Sequence, residues 1–160
     1  MQLPAGFQDR TANIFVQGDT EQSTFNLNIG RDNMHPDETL AAYVERQIGL
    51  MKEKISGYKL LSRGNACLGK GDSAIDGEQI DACYRSANRT IYQRQAAFPL
   101  SEQRVLIFSA TGASPHGEHA NAIWTGWLES FTPRGAVAPA NSATAPQTPS
   151  AHGSPQPAQD

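Results

Sequence analysis

Apolar and polar residues alternate along the first stretch of the chain. In residues 11–17, Ala12, Ile14 and Val16 alternate with Asn13 and Phe15. In residues 24–31, Phe25, Leu27 and Ile29 share one side while Asn26, Asn28 and Gly30 share the other. A period of two marks strands, and Gly18-Asp19-Thr20-Glu21-Gln22 between them has turn chemistry, so the pattern predicts a hairpin. The period then changes. His35-Pro36-Asp37-Glu38-Thr39 reads as a helix start, with proline and acidic residues at the positive end. Leu40, Tyr43, Val44, Gln47, Ile48, Met51 and Ile55 follow at helical spacing, an apolar stripe holding one amide, and Gly57 is the expected C-cap. Four further strands are predicted at 58–67, 73–84, 90–98 and 104–111, each pair separated by a turn-forming segment, which describes an antiparallel meander. Residues 118–131 carry Ala120, Ile123, Trp124, Trp127, Leu128 and Phe131, a stripe suited to lying on a sheet. The order β-β-α-β-β-β-β-α predicts an α+β domain, an antiparallel sheet with both helices on one face. The other face is then left with a mixed surface where a monomer in water would carry a polar one.

Composition sets the limits of that domain. Phe131 is the last aromatic, and residues 133–160 hold six of the ten prolines with a single bulky aliphatic, Val137. Such a segment cannot bury enough apolar surface to offset its ordering entropy, so the expectation is a folded domain over 1–132 and a disordered tail over 133–160. With 13 basic and 16 acidic residues the net charge is -3, which argues against a nucleic-acid partner. Met1-Gln2-Leu3-Pro4-Ala5-Gly6 lacks the charged and apolar regions of a secretory signal, and no run approaches the roughly 20 apolar residues of a membrane span. The expected location is the cytoplasm, without stable membrane insertion, and Cys67 and Cys83 fit that location as reduced thiols, a bridge between neighbouring strands being the alternative.

Candidate chemistry is thin. His116-Gly117-Glu118-His119 could bring two imidazoles onto one turn, but the sequence suggests no third ligand, and a cap and turn is the plainer reading. Gly69-Lys70-Gly71-Asp72 lacks the Gly-Lys-Ser/Thr ending of a phosphate loop and reads as a turn. Trp124, Trp127 and Leu128 read as core, and Arg31-Asp32 as a surface pair or turn. No metal and no cofactor are expected, and without a convergent set of titratable groups the chain reads as a binding protein, not an enzyme. Gln47 and Gln95 stand out as lone amides on otherwise apolar faces. A buried amide must find a partner or cost about 1 to 3 kcal/mol, so each either satisfies the fold internally or awaits a ligand.

An ordered set of short motifs runs through these elements: Gly6-Phe7-Gln8-Asp9-Arg10, Asn13-Ile14-Phe15, Ile29-Gly30-Arg31-Asp32, Tyr43-Val44-Glu45-Arg46-Gln47, Gly57-Tyr58-Lys59-Leu60 and Arg94-Gln95. From about residue 3 to 134 their order and spacing resemble the DcrB-like domain of the Eag proteins, effector-associated chaperones of bacterial type VI secretion. The resemblance implies a PsbP/Mog-like architecture and a homodimer whose concave, largely apolar surface shields the N-terminal transmembrane helices of a PAAR- or Rhs-type effector until it is loaded on the VgrG spike. It further implies that polar side chains in that surface hydrogen-bond the client helices, with Gln47 and Gln95 as the leading residues and Ala12, Ile14, Asn26, Asn28, Gly30 and Ile55 beside them. Ala12 is smaller than expected there, and Gly30 offers no hydroxyl. A transmembrane helix is about 30 Å long and an eight-residue strand spans about 26 Å, so one domain barely covers its client and a dimer could enclose it. The alternative in another class is a DcrB- or PsbP-like structural or binding protein of the cell envelope.

Overall fold

The computed structural model describes residues 13–16 and 25–133. The elements are β1 (Asn13–Val16), β2 (Phe25–Asn33), α1 (Leu40–Lys54), β3 (Lys59–Leu68), a single 3₁₀ turn (Gly71–Ser73), β4 (Ile75–Ser86), β5 (Arg89–Pro99), β6 (Arg104–Gly112) and α2 (Glu118–Glu129). The expected turn after β1, Ala12 and the tail beyond residue 133 lie outside the described residues. The six strands form one sheet in the order β1-β2-β6-β5-β4-β3, and every neighbouring pair is antiparallel. The meander from β3 to β6 is therefore as its alternation predicts, while β2 closes against the last strand.

The helices lie on opposite faces of this sheet, which corrects the expectation that they share one. Tyr43, Val44 and Ile48 of α1 bury against Ile80, Ala97 and Val105, whereas Trp124 and Leu128 of α2 bury against Leu68, Ala96, Phe98, Leu106, Phe108 and Ala110. Ala97 and its neighbours Ala96 and Phe98 thus point to different helices, as strand alternation demands. The reason is visible in the composition of β5 and β6. Ala96-Ala97-Phe98 and Val105-Leu106-Ile107-Phe108 are unbroken apolar runs, the pattern of strands covered on both faces.

The α2 face is the aromatic core. Phe98 and Phe108 meet edge to face at 5.8 Å between centroids, and Phe108 meets Trp127 at 4.7 Å. Burying each such side chain stabilises the fold by about 1.5–3 kcal/mol. The indole of Trp124 donates to Gln79 Oε1 at 2.8 Å, so its polar edge is satisfied inside the core. Arg94 reaches the same side, donating to Asp81 and to Asn121 of α2. Gly77 makes room for Phe98: a Cβ there would lie 2.3 Å from the ring and 2.5 Å from the carbonyl of Ala97.

On the other face α1 is tied down electrostatically. Arg63 of β3 pairs with Glu78 of β4, with Glu45 of α1 and with the carbonyl of Ala41. The helix begins later than its sequence suggests. Asp37 takes φ 62°, a left-handed conformation that no helix interior accepts, and Thr39 caps by accepting from the Ala42 amide at 3.2 Å. Glu38 lies outside the first turn and instead accepts from Arg46 at 2.7 Å and from the His35 amide. The C-cap is Ile55 rather than Gly57, which at φ 68° serves the turn into β3.

Candidate functional site

Helix α1 packs on β4 and β5, with Val105 and Ile107 of β6 beneath it, and leaves the rest of its face open. Register shows what remains. Ile14 pairs with Asn28, Asn28 with Ser109, Ser109 with Gln95, and Gln95 with Ile80, so these five side chains form one row across the α1 face. Exposure rises along it: Ile80 is 5% exposed under the helix, Gln95, Ser109 and Asn28 are half-buried, and Ile14 is 67% exposed at the edge. Asn26 and Gly30 belong to flanking rows of the same face, opposite Thr111 and Ile107. The uncovered strip over β1, β2 and β6 is about 10–14 Å wide at the usual strand spacing, close to the diameter of one helix.

Where the strip meets α1 there is a cavity of about 90 Å³ lined by Tyr43, Val44, Gln47, Met51, Glu78, Ile80, Gln95, Ala97 and Ile107. Gln47 and Gln95, far apart in sequence, share its wall. They are not equivalent. Gln47 Nε2 donates to Asp32 Oδ2 at 3.3 Å, and the Tyr43 hydroxyl donates to the same oxygen at 2.9 Å. Burial first, and the Asp32 carboxylate second, push the Tyr43 pKa up, so the phenol stays a donor. The other Asp32 oxygen accepts from the Asn33 amide at 2.8 Å. No described residue hydrogen-bonds the Gln95 amide.

The structure therefore gathers Ile14, Asn26, Asn28, Gly30, Gln47 and Gln95 onto one face. Ile55, at the far end of α1, does not line the cavity, and Ala12 lies outside the described residues. The floor is richer in amides and hydroxyls than the largely apolar surface the resemblance implies. Gly30 leaves a dent in it, since a Cβ there would meet nothing nearer than 4.0 Å. Asp32 went unrecognised as a member of the site. Its signal was the alternation that places it with Gly30 and Asn28, facing Tyr43 and Gln47, which are one helical turn apart.

The remaining candidates resolve simply. Trp124 and Leu128 are core, and Trp127 is half-buried against it. Cys67 and Cys83 are free thiols, opposite Asp76 and Lys59, so the bridged alternative does not apply. Among the described residues no group of three or more His, Cys, Asp and Glu could hold a metal ion. His116 meets Phe25 edge to face at 5.8 Å, with both ring nitrogens buried and without a hydrogen-bond partner among the described residues. Burial chiefly, and then the Arg94 charge, lower its pKa.

Comparison with known proteins now places the chain. The family model described as DcrB matches residues 1–130. The chain belongs to the DcrB family. This member is 26% identical over 137 residues to a Pseudomonas aeruginosa protein named Effector EagT6, a match that takes in 84% of this chain and 90% of that one. Its fold is shared with the crystal structure of PA94, a Pseudomonas aeruginosa protein of unknown function, at a TM-score of 0.67, 23% identity, and coverage of 84% of this chain and 90% of the other. The DcrB-like resemblance and the α+β architecture read from the sequence are both met. Among the described residues of this DcrB member no helix is long and apolar enough to cross a membrane.

Proposed function

We propose that this DcrB-family protein is a cytoplasmic chaperone of type VI secretion, holding the apolar N-terminal helices of a PAAR- or Rhs-type effector on the open part of its α1 face until the effector is passed to the VgrG spike. The observation that carries this reading is that Gln47 and Gln95 line one cavity at the edge of a strip one helix wide. The likeness to Effector EagT6 supports it in kind. Ile14, Ile107 and Met51 supply apolar contact, worth about 25 cal/mol per Å² buried, while Asn26, Asn28, Ser109 and the two glutamines supply hydrogen bonds that gain strength once water is displaced. The cavity is too small for a helix but suits one side chain projecting from it.

A strand of nine residues such as β2 spans about 30 Å, so one strip matches one membrane helix in length yet covers only one side of it. A second protomer would cover the other, and the working unit in this reading is a homodimer, with residues 133–160 as a tail outside the binding domain. Co-expression with an effector encoded beside this gene tests the proposal. The soluble yield of the effector rises when this protein is present; equal accumulation without it overturns the chaperone reading. Sedimentation equilibrium at tens of micromolar, a range that reveals most specific homodimers, tests the enclosing pair.

A further inference from the structure

We infer that Asp32 is the specificity-determining residue of the cavity, holding Gln47 so that its amide oxygen serves the client and the cavity selects a side chain that donates a hydrogen bond. The inference rests on the proposed binding role of this face.

The chemistry follows from what each group can do. A carboxylate only accepts, and the Tyr43 phenol, kept protonated, donates to it. Asp32 therefore accepts Gln47 through the NH₂ end, as the 3.3 Å contact to Oδ2 shows. With one of its two N–H groups held by Asp32, the Gln47 amide is fixed at its nitrogen end, and its carbonyl oxygen is assigned to the cavity. Glu78, the acidic residue of the wall, is engaged by Arg63. Among the described residues nothing engages either end of the Gln95 amide. The two glutamines share the wall of a cavity of about 90 Å³, and a hydroxyl seated between them would donate to Gln47 Oε1 and accept from Gln95 Nε2. Within an apolar helix a serine or threonine hydroxyl otherwise bonds back to its own preceding turn, so it is the side chain such a helix carries that can be redirected at little cost.

Two isomeric probes separate donation from size. The full chain is titrated with a lysine-flanked, fluorescein-labelled Leu/Ala helix of about 20 residues carrying one central threonine, and with the same helix carrying O-methylserine, which has identical atoms but can only accept. Wild type prefers the threonine helix by about 5- to 10-fold, the worth of one hydrogen bond. Asp32→Asn, which frees Gln47 to turn its NH₂ toward the ether, brings the ratio close to one. General damage to the fold would weaken both probes together and leave the ratio alone. If neither helix binds wild type, the chaperone reading itself falls. Binding without preference, or a preference that survives Asp32→Asn, overturns the role of Asp32 and leaves that reading standing. Should Asp32→Asn fail to fold, amide exchange in wild type decides: Gln47 NH₂ protons exchange more slowly with water than those of Gln95, and equal rates refute the clamp.

Discussion

Replacing each cavity glutamine with leucine separates a residue that serves the fold from one that serves a ligand. The side chains have similar length, but leucine cannot hydrogen-bond. At Gln95 the fold has nothing to lose: no described residue bonds its amide, and leucine adds apolar area beside Ile80 and Ile107, so stability changes by no more than about 0.5 kcal/mol and in the favourable direction. At Gln47 the substitution deletes one bond to Asp32. That bond is long at 3.3 Å and half-exposed, and Asp32 keeps its bonds from Tyr43 and Asn33, so the loss is about 0.5–1.5 kcal/mol. In a domain of this size that lowers Tm by about 2–8 °C for Gln47→Leu and leaves Gln95→Leu level or slightly higher. Client affinity falls for both, by about 1–3 kcal/mol or roughly 5- to 150-fold, because each removes a partner from a dry contact. Urea denaturation gives the first quantity and fluorescence anisotropy with a labelled effector helix the second. A Gln95→Leu protein that is clearly less stable yet binds its client unchanged would refute the assignment, since it would make Gln95 a structural residue.

Gly77→Ala forces a methyl against the Phe98 ring and the Ala97 carbonyl, and the overpacking costs about 1–3 kcal/mol, measurable by urea denaturation. Acid destabilises the protein in two steps. His116 has a pKa lowered by burial, so the unfolded chain binds its proton first and stability falls as pH drops below about 6.5; His116→Leu removes that step from the pH profile of Tm. Glu38, held down to about 2 by the Arg46 hydrogen bond, contributes stability present above its unfolded value and lost from about pH 4.5 toward 2; Glu38→Gln flattens that lower limb. Truncation after Arg134 leaves Tm nearly unchanged, because the removed segment carries a single bulky aliphatic, Val137; a drop of several degrees would show that it packs.

Much of this was legible in the chain. Period-two alternation located β2 through β6, and the Trp124, Trp127 and Leu128 stripe was correctly read as core. The choice of face was harder, since periodicity says which residues of a strand share a side and not which helix covers it. The runs through Ala96-Ala97-Phe98 and Val105 to Phe108 held the information, because a strand apolar on both sides must be covered twice. The pairing of Gln47 with Gln95 depends on register between a helix and a strand of the meander, which no local pattern records. Asp32 was missed for a related reason: beside Arg31 it looks like a surface charge, and its partners come from α1.

Because the two helices take opposite faces, neighbouring residues along β5 answer to different demands. Arg94, Ala96 and Phe98 are held by the aromatic side, where Gly77 and the stacked rings leave little latitude. Gln93 and Gln95, interleaved with them, face the open side and have no such neighbours to satisfy. A lineage could therefore rewrite its recognition surface one alternate residue at a time while the hidden half of the same strand stays constant. Divergence among paralogues should show as a two-residue stripe of variability along β2, β5 and β6, and the partner repertoire can widen without the architecture having to drift.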